Sequence, residues 1–155
     1  YVSFVKTESP ETIENIFINE VIKECIKNID LNKCQIDLVE KDIINTSGRP
    51  IQLKRAFQNI IDNSKRYADK IRIIIFLDKN GCIVEIDDNG MGIPEKNYED
   101  VFKPFFTLDP SRNKLKGESG LGLTITRDII RSHGGEIKLD KSDMGGLKLV
   151  VLLPI

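Results

Sequence analysis

Three groups of residues in this 155-residue chain have types and spacings that could do chemistry. In CIVEIDDNGMGI, residues 82–93, strand alternation puts Cys82, Val84 and Ile86 on one face, so Asp88 falls at the end of an apolar row. A carboxylate there costs several kcal/mol unless donors reach it. Either nearby backbone amides hold it as a turn aspartate, or Gly90 and Gly92 leave room for a flat ligand whose exocyclic amine it accepts. In LKRAFQNIIDNSKRYA, residues 53–68, Asn59, Asn63 and Arg66 line one border of a helical core stripe made by Leu53, Ala56, Phe57, Ile60, Ile61, Ser64 and Ala68. Asparagines one turn apart are poor helix formers, so they either satisfy a neighbouring loop or offer a carbonyl oxygen to Mg²⁺, with Arg66 in reach of phosphate. In GESGLGLTITRDII, Gly117, Gly120 and Gly122 lead into a helix whose free N–H groups and dipole favour an anion. That run is neither a Walker A loop nor a Rossmann fingerprint, and a glycine cluster alone is as often a flexible loop.

The elements that must position these groups can be read from periodicity. An apolar stripe of Ile18, Val21, Ile22, Cys25, Ile26 and Ile29 predicts a helix over 16–29, CQIDLVE alternates as a strand, and Pro50 suits the first turn of a helix ending near Tyr67. Strands are expected at 70–77 and 82–88, joined through Asn80-Gly81 as the two-residue turn of a hairpin. A short helix is expected from Pro94 to Phe102, then a charged loop over 107–119, a helix over 121–133 stopped at Gly134, and strands EIKLD and LKLVVLL around Gly145-Gly146. Hairpins mixed with helices exclude an all-parallel sheet. The predicted fold is an α/β two-layer sandwich, a mixed sheet of about five strands packed on about three helices.

Charge is spread evenly, with 23 basic and 24 acidic residues, which argues against a nucleic-acid or membrane surface. Cys25, Cys34 and Cys82 have no metal-ligand spacing and read as reduced, packed thiols of a cytoplasmic chain. No apolar run has the length of a membrane span. The chain begins at Tyr1 without a start methionine, so a piece of a longer protein is expected, with 1–12 as a lead-in and 13–155 as one domain.

NIIDNSKRY, DDNGMGI, VFKPFF and GLGLTI, in this order, resemble the N, G1, F and G2 boxes of the ATP-binding catalytic domain of two-component sensor histidine kinases, EnvZ-like, in the GHKL superfamily with its Bergerat fold. The resemblance covers nearly the whole chain. It implies ATP and Mg²⁺ as ligands, with Asn63 on the metal and Asn59 beside it, both catalytic. Arg66 would contact phosphate, Tyr67 would pack on adenine, and Asp88 would receive the adenine amine. Gly90, Gly92 and Ile93 would shape the base pocket. Residues 107–119 would form a lid in which Arg112, Lys114 or Lys116 meets the γ-phosphate, Arg112 with a catalytic role. Gly117, Gly120, Leu121, Gly122 and Leu123 would complete the nucleotide contacts. Phe102 and Phe105 would anchor the lid's base or serve as ordinary core.

The only histidine, His133, lies at a helix end, where it suits the dipole better than the part of a phosphoacceptor. The resemblance therefore implies transfer of the γ-phosphoryl group to a histidine on a separate dimerisation domain, in cis or in trans, with a response regulator downstream. It also implies a dimeric parent in the bacterial inner membrane, while this fragment alone is expected to be monomeric. The competing readings are a GHKL ATPase, disfavoured because Asn59 replaces the Glu that orients water in those enzymes, an anti-sigma-type protein serine kinase, and a non-enzymatic nucleotide-binding module.

Overall fold

The computed structural model describes residues 11–30, 32–106 and 122–155. The elements are β1 (Glu14–Phe17), α1 (Ile18–Ile26), β2 (Gln35–Glu40), β3 (Asn45–Gly48), α2 (Pro50–Tyr67), β4 (Lys70–Asp78), β5 (Gly81–Asp88), α3 (Gly122–Ser132), β6 (Glu136–Lys141) and β7 (Leu147–Leu153).

Isoleucine-rich alternation builds the main sheet. Ile71, Ile73 and Ile75 of β4, Cys82, Val84 and Ile86 of β5, and Leu149, Val151 and Leu153 of β7 are buried on one face. Against them pack Ile18, Ile22 and Cys25 of α1, Leu53, Ala56, Phe57, Ile60 and Ile61 of α2, and Ile129 and Ile130 of α3, in one continuous core. The five strands run in the order β2-β4-β5-β7-β6, with β2 parallel to β4 and every other pairing antiparallel. The expected two-layer sandwich with a mixed five-stranded sheet is the architecture found. All three cysteines are free and buried, and burial pushes the Cys25 thiol up to about 11 and the Cys82 thiol up to about 12.

Several expectations are corrected. The first helix covers only Ile18–Ile26, because residues 14–17 pair as β1 with β3 in a separate two-stranded ribbon. Asn19 fixes that boundary. Fully buried, it donates to Glu40 and to the Asp42 carbonyl and accepts from the Ile44 amide, so no buried polar atom of its amide goes to waste. In the β4–β5 hairpin the turn residues are Lys79 and Asn80, while Gly81 (φ +124°) already pairs with Asp78. A side chain at Gly81 would also meet the Leu153 carbonyl, so this glycine serves the sheet and not the turn apex. Pro94–Phe102 folds as two short 3₁₀ turns, Glu95–Asn97 and Asp100–Phe102, and not as one α-helix.

Helix α2 matters most for the site. Arg49 at its N-cap position makes no side-chain cap, and Pro50 has no N–H to satisfy. Glu11 caps the helix from 40 residues upstream, its two oxygens accepting from the amides of Ile51 (2.7 Å) and Gln52 (3.1 Å). The other end is set by Ala68, which leaves the helix in an extended conformation while its N–H still bonds Ser64.

Candidate functional site

Three segments meet around the end of β5: the last turns of α2, residues 88–93, and the 142–146 turn between β6 and β7. Asp88 is 5% exposed. Its Oδ1 accepts from the amides of Gly90 (3.0 Å) and Leu147 (3.1 Å), while its own carbonyl accepts from Gly146 N–H (3.0 Å). Backbone amides thus stabilise this carboxylate as the turn-aspartate reading required, and both act on Oδ1.

The Asn-Gly pair after it has a structural explanation that the sequence alone did not provide. Asn89 Oδ1 accepts from the amides of Asp69 and Lys70, and its Nδ2 donates to Asp69, so the exit of α2 is latched to the exit of β5. That latch draws the Tyr67 carbonyl so close to Gly90 that a Cβ there would sit 2.8 Å from the oxygen. Gly90 is therefore required for backbone packing, and Gly92, at φ +71°, for chain direction. Gly146 is the third glycine of the site: a Cβ on it would lie 2.2 Å from Asp88 Oδ1 and 2.6 Å from the Gly90 nitrogen.

On α2, Asn59, Asn63 and Arg66 are half-buried along one border of the core stripe, as their spacing predicts, and Tyr67 is half-buried as well. Among the described residues no hydrogen bond ties the side chain of Asn59 or Asn63 to another. Ile93 is half-buried next to Gly92. Among the described residues there is no cluster of three or more His, Cys, Asp or Glu side chains that could cage a metal.

Helix α3 begins at Gly122, where a Cβ would meet none of the described residues within 4 Å. Leu123 packs against the core. Thr124 Oγ1 donates to the Phe102 carbonyl (2.7 Å), and the Arg127 guanidinium pairs with Glu99 (2.7 Å) over the Phe102 ring. These contacts dock the start of α3 on the 3₁₀ segment. Phe102 is core, whereas Phe105 is not: it is 63% exposed at φ +64°, a strained conformation for a non-glycine residue. Arg112, Lys114, Lys116, Gly117, Gly120 and Leu121 lie outside the described residues.

His133 bridges two helices. Its Nδ1 lies 2.8 Å from the Ile129 carbonyl, which can only accept, and its Nε2 accepts from the Arg49 amide at 3.0 Å. With Nδ1 donating and Nε2 accepting, the ring joins the end of α3 to the start of α2. As the expected dipole-favourable residue at the helix end, His133 bonds a carbonyl of the last turn of α3, and it adds the link to α2.

Comparison with known proteins agrees with this geometry. Residues 48–155 match the family model described as histidine kinase-, DNA gyrase B-, and HSP90-like ATPase. The chain is 38% identical over 109 residues to the sensor histidine kinase CpxA of Escherichia coli strain K12, covering 70% of this chain and 24% of that protein. It is 32% identical over 149 residues to the sensor histidine kinase GtrS of Pseudomonas aeruginosa, covering 96% and 30% respectively. The chain thus spans about a quarter to a third of the length of these relatives. Among solved structures it resembles the ATP-binding domain of PrrB from Mycobacterium tuberculosis, with TM-score 0.75, 25% identity and coverage of 93% and 98%. The catalytic domain of histidine kinase ThkA gives TM-score 0.79 at 25% identity, with coverage of 92% and 95%. A mycobacterial sensor histidine kinase, MprB, shares the fold at TM-score 0.80 and 24% identity, with coverage of 92% and 97%. With the family model matching residues 48–155 and a relative 38% identical over 70% of the chain, the chain belongs to the histidine kinase-, DNA gyrase B- and HSP90-like ATPase family.

Proposed function

We propose that this chain is the catalytic ATP-binding domain of a sensor histidine kinase, which binds Mg-ATP and passes the γ-phosphoryl group to a histidine on a separate phosphoacceptor domain. The observation that carries this reading is the arrangement around Asp88. A buried carboxylate has one oxygen committed to two backbone amides, beside a half-buried row of asparagines on α2. Asp88 would use its other oxygen to accept the exocyclic amine of adenine, and Ile93 and Tyr67 would flank the base. Guanine presents a carbonyl where adenine presents that amine, so two acceptors would face each other and GTP would bind more weakly.

The donor set fits a hard cation. Asn63, with Asn59 beside it, has a side-chain carbonyl uncommitted to other described residues, which suits an ion that keeps most of its waters. When bound, Mg²⁺ supplies neutralisation of phosphate charge. Asn59 and Asn63 would orient the phosphate end. Arg66, Gly122 and Leu123, with Gly117, Gly120 and Leu121, would border the phosphates, and Arg112 would add positive charge at the γ-phosphate, in the positioning and charge stabilisation on which phosphoryl transfer depends. His133 is occupied on both ring nitrogens and is not the acceptor in this reading.

The relatives are named sensor kinases, and the proposal extends that likeness to an acceptor domain in cis or in trans, a response regulator downstream, and a dimeric parent at the bacterial inner membrane. Among the described residues no helix is long and apolar enough to cross a membrane. The test is incubation of this chain with γ-labelled ATP, Mg²⁺ and a histidine-bearing helical hairpin from a sensor kinase. Label on the hairpin that is lost in acid and kept in alkali is expected. Acid-stable label would indicate a hydroxyl acceptor, and steady phosphate release without labelled protein would indicate an ATPase.

A further inference from the structure

We propose that Arg72 is a positioning residue for the base pocket, acting through the 142–146 turn and touching no ligand. Asp87 and Asp88 are adjacent and both buried, yet alternation along β5 sends their side chains to opposite faces of the sheet. Asp88 meets the turn from the helix side, through the amides of Gly146 and Leu147. Asp87 lies on the other face, directly across from Arg72 in β4 and Lys148 in β7. It is fully buried, and neither of its oxygens has a hydrogen-bond donor among the described residues. Lys148 is directed to Glu85 (4.0 Å), which leaves Arg72 Nη2, 3.5 Å from Asp87 Oδ2, as the cation that compensates the buried charge.

The same Nη2 reaches Asp143 Oδ1 at 2.8 Å. Asp143 sits inside a turn braced by its own bonds, Ser142 N–H to the Gly146 carbonyl, Gly145 N–H to the Ser142 carbonyl, and Met144 N–H to Ser142 Oγ. A turn closed in this way moves as a unit, so fixing Asp143 fixes Gly146. One guanidinium therefore holds the turn from the outer face while Asp88 holds it from the inner one. A carboxylate at position 87 is costly in a buried site, and the role that accounts for it is to keep Arg72 over the turn. The Arg72 guanidinium gains a hydrogen bond and a favourable charge from Asp143, and further charge from Asp87, both of which favour its protonated form.

The effect on the nucleotide rests on the reading of Asp88 as the adenine acceptor, whereas the effect on the turn does not, and the experiment separates the two. Amide hydrogen exchange would be followed by NMR in the nucleotide-free chain, and ADP affinity by titration, for the unaltered protein, Arg72→Met and Asp143→Ala. The Asp143 side chain is 75% exposed, so its truncation leaves the core intact if Arg72→Met does not fold. The expected result in Asp143→Ala is exchange about three- to tenfold faster at Gly146 and Leu147, with the β4–β5 ladder unaffected, and ADP affinity weakened by a similar factor. Arg72→Met, which also leaves buried Asp87 without its cation, should show the same two effects together with faster exchange in the β4–β5 ladder. Unchanged exchange at those two amides in Asp143→Ala would overturn the clamp. Faster exchange with unchanged ADP affinity would overturn its role in positioning. Failure of the unaltered chain to bind ADP would overturn the reading of Asp88 and, with it, the proposed effect on the base.

Discussion

The amide of Leu147 donates to Asp88 Oδ1 at 3.1 Å, across a separation of 59 residues, and makes the last turn of the chain a wall of the site built at the end of β5. Gly146, just before it, tolerates no side chain, since a Cβ would sit 2.2 Å from that same oxygen. Gly146→Ala is therefore expected to cost about 1–3 kcal/mol of stability through overpacking, measured by urea unfolding, and to weaken adenine nucleotide binding. Gly122→Ala, whose Cβ would meet no described residue within 4 Å, should leave stability within about 0.5 kcal/mol. A selective loss of nucleotide affinity in that second variant would mark the start of α3 as a phosphate site.

Asn63→Ala should weaken Mg-ATP binding while leaving metal-free nucleotide binding nearly as it is. The helix stripe beneath it is unaltered, and alanine is the better helix former, so no loss of stability is expected. Titrations with Mg²⁺ and with chelator separate the two cases. An equal loss in both would make Asn63 a contact to the nucleotide itself.

Replacing His133 by alanine leaves the Arg49 amide without its acceptor and frees the end of α3 from the start of α2. A cost of about 1–2 kcal/mol in urea unfolding is expected. Nucleotide affinity should change little, and phosphoryl transfer to an added acceptor hairpin should persist. Loss of transfer with unchanged stability and affinity would return His133 to consideration as a chemical participant.

Much of the architecture was legible because its cores are written in period. Leu53, Ala56, Phe57, Ile60, Ile61 and Ser64 are buried as expected and α2 runs from Pro50 to Tyr67 as expected, whereas Ala68, also expected in that stripe, is the extended C-cap and only half-buried. The β1–β3 ribbon was not legible: Asn45–Gly48 reads NTSG, with no apolar alternation, and exists because β1 pairs with it and Asn19 holds Ile44 just before it. Asp88 announced itself by breaking an apolar row. Asp87 gave no such signal, since an aspartate on the outer face of a strand ordinarily meets water, and its burial depends on Arg72 and on Asp143, 71 residues beyond Arg72. Asn89 and Gly146 escaped for the same reason: each is required by a backbone neighbour distant in sequence, the exit of α2 for one and Asp88 for the other.

The measurement that tests the central claim most directly is calorimetric titration of this chain with a non-hydrolysable ATP analogue and Mg²⁺, beside Asp88→Asn. The substitution keeps an oxygen able to accept from the Gly90 and Leu147 amides and turns the other into a donor that opposes the adenine amine. The account predicts micromolar-range binding by the unaltered chain. Asp88→Asn should weaken it by at least about 1–3 kcal/mol, roughly tenfold to a hundredfold, with the fold intact. Equal affinity in the two proteins would contradict the assignment of Asp88 to the base, and absence of binding in both would contradict the proposed nucleotide site.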